Sequence, residues 1–524
     1  MAQSLPYPYQ TRSTPSGVDE SAARVPGIVT QFLVLTLLLG LAYSSTIFLE
    51  YALNDENWII RASDWWLRFD VRQGRPLFSL AIYLTSRLHD LFGFHVIALL
   101  RAGGIVGLAF AMAFLSVWLQ RWGASKIHAL ITCLAVATLP PFQIYIANAT
   151  WVVIPFTVTI VATLLLSHGY HDAGTARRRG LCYLGSGMLI LGSLAFYQPA
   201  ILIGLAMFIV PTLAMPVRET GETRKVARFV AFGAAFFAVV TLLYYVAWFL
   251  LWRWLERQSA GGYYSPTFVN IDPVGRLHYF FRDRLIQATN LWYVDSLKAS
   301  VWSYLTISLI GIGAIADLIE ASKGSDVGEH LANLLTKYIC AFAFVVLSDA
   351  IPLLAGAPIP SYVTAPALFF AVAIWASHGV YASVGGREPA MRLVGAGLAA
   401  FAAVGLFMAQ YTIVTYFAVP QFLEYALIQG EARAYLKSHQ SIQHVHVVGR
   451  KDSLLNHGLH EFGWSNSTFD VYVRDMVKNV LDEVGVPSEV EVTASDTLVS
   501  ALPKTSVPPP GSALIIDLSR IHLR

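Results

Sequence analysis

Charge is scarce in this 524-residue chain: 36 Lys and Arg with 33 Asp and Glu make up 13% of it and nearly cancel, to a formal +3. A water-soluble globule carries about a quarter charged residues. The deficit, with 56% hydrophobic residues and a mean hydropathy of +0.55, excludes a soluble enzyme and points to a polytopic membrane protein. The small, scattered positive balance excludes a nucleic-acid partner, which needs a basic stripe on one face. Cysteine is nearly absent. Cys133, Cys182 and Cys340 lie in apolar stretches without paired spacing or a nearby His cluster, so neither a disulfide framework nor a zinc site is supported. There is no Gly-rich nucleotide loop and no repeat of fixed period. Residues 1–26, rich in Pro, Ser and Thr, lack the apolar core and cleavage site of a signal peptide and read as a disordered cytoplasmic tail.

Apolar stretches dominate what remains. A spanning helix takes roughly 20 mostly apolar residues, and about eleven stretches qualify. They start near Ile28, Phe94, Ile127, Trp151, Leu181, Pro199, Val226, Ala299, Lys337, Ser361 and Leu393. Lys and Arg accumulate in short cytoplasmic connections. Arg121 and Lys126, Arg177 to Arg179, Arg218 with Arg224 and Lys225, and Arg387 with Arg392 mark such turns, whereas turns near Asn148, Gln198 and 356–360 carry neither. The same parity makes 77–92, interrupted by Arg87, His89 and Asp90, an interfacial or re-entrant helix.

The expected architecture is an α-helical polytopic membrane protein with a small extracytoplasmic α/β C-terminal domain. The N-terminus is cytoplasmic. The membrane domain covers 27–420 with outer loops 50–93 and 253–298, and the C-terminal domain covers 421–524. In that domain, helix-like runs at 424–438 and 469–484 accompany strand-like runs at 444–448, 489–493 and 513–518.

The first outer loop is the densest in chemistry. Asn54-Asp55-Glu56-Asn57 precedes a segment in which Trp58, Ala62, Trp65, Trp66 and Phe69 share one helical face while Arg61, Asp64 and Arg68 lie off it, as in a helix lying in the membrane interface. Asp55 sits where a general base could face a water-filled cleft. It or Asn54 could equally cap the helix, and the two roles are compatible. Arg68, Arg72 and Arg75 supply guanidinium forks suited to phosphate, although arginines near headgroups often only snorkel to the interface.

Charges inside spans are costly and mark sites. Arg101 and Asp349 fall near the outer ends of their spans and Glu50 closes the first, while Asp317 and Glu320 fall at a cytoplasmic end and read as ordinary interface residues. The second large loop contributes Tyr263, Tyr264, His278, Tyr279, Phe280, Arg282, Arg284, Trp292, Tyr293 and Lys298. Such rings and cations suit a sugar phosphate or, read individually, an aromatic belt.

An acid pair just past the first span, an interfacial aromatic helix and the turn Gly74-Arg75-Pro76 resemble the GT-C superfamily of membrane glycosyltransferases. Within it, the segment 54–76 is most similar to bacterial O-antigen glucosyltransferases of the phage serotype-conversion type. The resemblance implies a polyprenyl-phosphate sugar donor, a hydroxyl of a lipid-linked or surface glycan as acceptor, an inverting displacement, and residence in the bacterial inner membrane. The family's catalytic carboxylate maps onto Asp55 and its Gly-Arg element onto Gly74 and Arg75. Many members carry two aspartates where this chain has Asp55-Glu56.

The expected roles follow. Asp55 is the base with Glu56 as helper, and Arg75, Arg72 and Arg101 hold the donor phosphate. Trp58, Arg68, Tyr279, Arg282, Lys298 and Asp349 contact substrate. No cofactor is required in principle, with a divalent metal left open. The rival readings are a flippase for lipid-linked sugar and an O-antigen polymerase or ligase using a diphosphate-linked donor.

Overall fold

The computed structural model describes residues 27–49, 51, 56–57, 59, 70–71, 73–93, 95–148, 151–256, 272–294, 298–323, 326–354, 362–384, 388–439, 441–449, 470–486, 490–495 and 513–521. Each expected apolar stretch is helical. Seven helices are long and apolar enough to cross a membrane: His95–Arg121, Val153–His171, Ala176–Phe196, Thr220–Leu251, Val301–Ala321, Val327–Leu347 and Gly395–Ser438. The shorter apolar helical segments Ile28–Ala42, Gln198–Leu213 and Pro366–Ala382 pack among them. The protein is thus an α-helical polytopic membrane protein.

One span is broken. Lys126–Ala137 and Pro140–Ala147 meet at 62°, because Pro140 and Pro141 supply no amide hydrogens to continue the ladder. Side chains satisfy the freed backbone, as a low-dielectric site requires: Gln143 Nε2 donates to the Thr138 carbonyl at 2.7 Å, and Thr138 Oγ1 to the Ala135 carbonyl at 2.9 Å. The bend leaves Pro140–Ala147 entirely buried.

The segment expected at the interface is the helix Pro76–Phe92, amphipathic, with Leu80, Tyr83, Leu84 and Leu91 exposed on one side. The last span differs most from expectation. It does not stop near residue 420 but continues through a π-helical turn, Ile413–Ala418, into Val419–Ser438. Its 44 residues extend about 66 Å at 1.5 Å per residue, far beyond a hydrocarbon core of about 30 Å. The 424–438 run is the projecting end of this helix, and its Tyr425, Ile428 and Ala432 are buried in the core of the C-terminal unit.

That unit is a parallel three-stranded sheet in the order β2-β1-β3, with β1 His444–Val448, β2 Glu491–Ser495 and β3 Leu514–Asp517. The helix Asp470–Glu483 lays Val473, Met476, Val477, Val480 and Leu481 into a core shared with Val445, Val447, Val492 and Ile516. His446, fully buried in β1, bonds Thr493 Oγ1 at 2.9 Å and Ser495 Oγ at 3.1 Å, which ties the central strand to its neighbour through both ring nitrogens.

Asp317 corrects a second expectation. Glu320 is a half-exposed interface residue paired with Arg218 at 3.1 Å. Asp317 instead faces two neighbouring helices, where Lys337 Nζ lies 2.6 Å away, the Tyr338 hydroxyl donates at 2.8 Å and His378 Nε2 is 3.6 Å distant. Three residues apart, the two acids lie on neighbouring strips of one helix face; Asp317, with 15% of its side chain exposed, points toward the adjoining helices, and Glu320, at 40%, lies nearer water.

Candidate functional site at one end of the bundle

The turn at Glu56 and Asn57 is helical and fully buried. Arg101 clamps Glu56: Nη2 donates to Oε2 at 2.6 Å and Nε to Oε1 at 3.2 Å. Its Nη1 donates to the Thr46 carbonyl at 3.0 Å, and the guanidinium lies 3.6 Å from the Tyr51 ring centroid. A buried ion pair offsets its desolvation only when its hydrogen bonding is complete, and here each of the three guanidinium nitrogens has a partner. Glu56 and Arg101, expected as helper carboxylate and phosphate ligand, thus neutralise each other and pin the loop to the bundle. Asp55, Trp58, Arg68 and Arg72 lie outside the described residues.

Arg75 is arranged differently. It follows Gly74, whose φ of +79° is a left-handed conformation that side chains resist. The Gly74 carbonyl accepts from Gln198 Nε2 at 3.0 Å and from the Tyr244 hydroxyl, and Gln198 also bonds the Gln73 carbonyl at 2.8 Å. The turn is thereby fixed against two helices. Arg75 Nε donates to Gln198 Oε1 at 2.8 Å, and its guanidinium lies 5.4 Å from the Tyr197 ring centroid. Among the described residues neither terminal nitrogen of Arg75 has a hydrogen-bond partner. A half-buried guanidinium with two unused donor nitrogens is suited to an anionic oxygen.

The broken span joins these two centres. Tyr51 hydroxyl donates to the Ala147 carbonyl at 3.2 Å, and Tyr145, on the same short helix, sits 3.1 Å from the Tyr197 hydroxyl. Tyr145 and Tyr197 both donate to the Val363 carbonyl, the latter at 3.2 Å. The next residue, Thr364, accepts from Arg284 Nη2 at 3.3 Å. Arg284 is fully buried against Asp349, with Nη2 to Oδ1 at 2.7 Å and Nε to Oδ2 at 3.1 Å, while Nη1 donates to Gln287 at 3.1 Å. One continuous polar layer therefore runs from Glu56 through Arg101, Tyr51, Tyr145, Tyr197 and Arg75 to Arg284 and Asp349.

Asp349 joins this layer, but its carboxylate is occupied by Arg284. Tyr279 is buried beside the pair; burial pushes its hydroxyl up to about 12, and that hydroxyl has no hydrogen-bond partner among the described residues. Arg282 points outward, its nearest acid being Asp283 at 3.9 Å, and Lys298 is exposed. Arg282 and Arg284 both lie in the helical turn Phe280–Arg284, where two residues turn the side chain by about 200°, so Arg284 enters the bundle while Arg282 leaves it.

Sequence reasoning missed Gln198, Tyr197 and Tyr145, since each is an unremarkable polar residue in an apolar stretch. The absence of Lys and Arg around Gln198 was the available signal. Among the described residues no group of three His, Cys, Asp or Glu could hold a metal ion.

No family model matches the sequence, and no curated protein matches it. Among solved structures, the chain is similar to ArnT from Cupriavidus metallidurans bound to undecaprenyl phosphate, at 16% identity over 87% of this chain and 77% of that one, with a TM-score of 0.39. The same protein in its apo state gives 17% identity, the same coverage and a TM-score of 0.36. A likeness of this degree carries no argument about substrate or mechanism.

Proposed function

We propose that this protein is a membrane glycosyltransferase of the GT-C type. It moves a sugar from a polyprenyl-phosphate donor to a hydroxyl of a glycan outside the cytoplasm. The observation that carries the reading is the polar layer, in which Arg75, among the described residues, keeps both terminal nitrogens available on the same bundle end as the buried Glu56 turn.

The reaction is a single displacement. The Asp55 carboxylate takes the proton of the acceptor hydroxyl, the oxygen bonds to the anomeric carbon, and the bond from that carbon to the phosphate oxygen breaks. The electron pair leaves with the lipid phosphate, whose charge Arg75 meets with its unpaired N–H groups. Attack opposite the leaving group inverts the anomeric centre. Glu56 contributes by holding the turn through Arg101, which leaves Asp55 as the only base in the pair. The phosphate of the donor is proposed from the spare donors of Arg75, and its polyprenyl chain from the resemblance carried by residues 54–76.

The finer assignment is glucose as the sugar and O-antigen as the acceptor, in a bacterial inner membrane. The layer would face the periplasm and the N-terminus the cytoplasm, since the cationic turns at Arg121, Arg177 to Arg179 and Arg218 gather at the opposite end. The test is transfer of radiolabel from polyprenyl-phosphate glucose to extracted envelope glycan. Wild type should label the glycan and Asp55→Asn should not; full activity in a folded Asp55→Asn protein removes the base assignment. Lipid translocation in proteoliposomes without a covalent product would favour a flippase, and preference for a diphosphate-linked donor would favour a polymerase or ligase.

A further inference from the structure

We infer that Asn479, in the C-terminal unit, is a positioning residue for the Glu56 turn, and that the unit thereby completes the active site instead of merely hanging from the last span. The inference deepens the proposed function and rests on its assignment of Asp55 as the base.

Asn479 lies on the helix Asp470–Glu483, outside the stripe of Val473, Met476, Val477, Val480 and Leu481 that faces the sheet. A polar residue off the core stripe of an amphipathic helix normally faces water. Asn479 is only 4% exposed and meets Asn57 of the first loop. Its Nδ2 donates to Asn57 Oδ1 at 3.0 Å and to the Asn57 carbonyl at 3.3 Å, across 422 residues of chain. Asn57 is itself fully buried.

The turn is consequently held from two sides. Arg101 grips Glu56 from within the bundle, and Asn479 grips the adjacent residue from the C-terminal unit. A base must stay within hydrogen-bond reach of the proton it removes, and misplacement by about 1 Å can cost about a hundredfold in rate. The carbonyl and side chain of Asn57 present two acceptors to Asn479. A donor at 479 meets both; a carboxylate would repel them, and a methyl would remove both bonds.

The test uses the full chain. Asn479→Asp keeps the side-chain shape and removes the donor, and Asn479→Ala stands in should the aspartate prevent folding. Backbone amide exchange over 51–59 should accelerate about tenfold, with exchange in the spans unchanged. For transfer, kcat should fall about tenfold while the lipid donor's KM stays within about twofold. Asn57→Ala combined with Asn479→Ala should lower kcat no further than either alone, as expected when both act through one contact. Unchanged exchange over 51–59 overturns the clamp. Faster exchange with unchanged kcat, or additive losses in the double variant, overturns the positioning role. If wild type transfers no sugar from any lipid phosphate, the functional reading fails by itself, and amide exchange still decides whether the clamp exists.

Discussion

The two ends of the bundle bury ion pairs in different ways. Deeper in the bundle, away from the loops, Asp317, Lys337, Tyr338 and His378 form a polar cluster within three helices, beside the Gly313–Gly379 crossing, where the backbones touch too closely for any side chain at 379. That cluster connects helix to helix. At the other end, Arg101 and Arg284 connect helices to the Glu56 turn and the 362–365 segment, while among the described residues Arg75 uses only Nε in a hydrogen bond. Charge that is fully reciprocated within the helices behaves as architecture. Charge tied to loops, with donor capacity to spare, is where a ligand can enter.

Breaking the most closed pair of the loop-bearing end should have the largest effect. Arg284→Met leaves Asp349 buried without its guanidinium and should cost about 3–5 kcal/mol, read as a lowered unfolding midpoint in detergent. Replacing both partners, as Arg284→Met with Asp349→Leu, should recover most of that loss. A double variant as unstable as the single one would mean that Gln287 and Thr364, not the ion pair, dominate this corner.

Arg75 sharpens the comparison because its stability and its function should separate. Arg75→Ala should reduce kcat/KM for the lipid donor about 10- to 100-fold, in line with the loss of a charge-assisted phosphate contact worth about 1.5–3 kcal/mol. Its unfolding midpoint should hardly move, since the Gly74 turn remains fixed by Gln198 and Tyr244. Arg75→Lys should restore part of the activity, keeping charge but not the fork. Equal losses of stability and activity would return Arg75 to the structural class.

At the opposite end, Lys337→Met should destabilise by about 1–3 kcal/mol, less than Arg284→Met, because Tyr338 and His378 still attend Asp317. The folded variant should transfer sugar at the wild-type kcat. A selective loss of turnover there would show that the two ends communicate, contrary to the contrast drawn above.

Much of this contrast was legible in the sequence, for identifiable reasons. Spans were readable because hydropathy accumulates over some 20 residues, and the first loop because acids and arginines are costly beside lipid. Arg101 and Asp349 stood out as charges in apolar stretches, yet their partners did not. Glu56 is 45 residues from Arg101 and Arg284 is 65 from Asp349, separations that no local pattern encodes. Arg284 stood among the cations of its loop, but which face of that segment meets the bundle depends on packing against distant helices. Asn479 was illegible for a simpler reason: its burial depends on a loop docking from the other end of the chain.

The smallest expected effect lies where the bundle meets water. Asp172, at the end of Val153–His171, bonds Arg121 Nη2 at 2.7 Å and His168 Nδ1 at 3.1 Å. Burial alone would raise its pKa, but the Arg121 guanidinium outweighs this and, with His168, holds the carboxyl below the usual carboxylate range. A depressed folded-state pKa means that the stabilisation is complete above the unfolded value of about 3.9 and is lost as pH falls through the lower folded value. Because Asp172 is partly exposed, solvent screening keeps the pair below about 1 kcal/mol. Asp172→Asn should therefore lower the unfolding midpoint slightly at pH 7. The difference from wild type should shrink as pH drops below about 4, once both proteins carry a neutral side chain there. Added salt should shrink it further, whereas the fully enclosed Arg284–Asp349 pair should be nearly indifferent to salt. Equal salt sensitivity at the two sites would mean that water reaches the polar layer, and with it the proposed base, even without substrate.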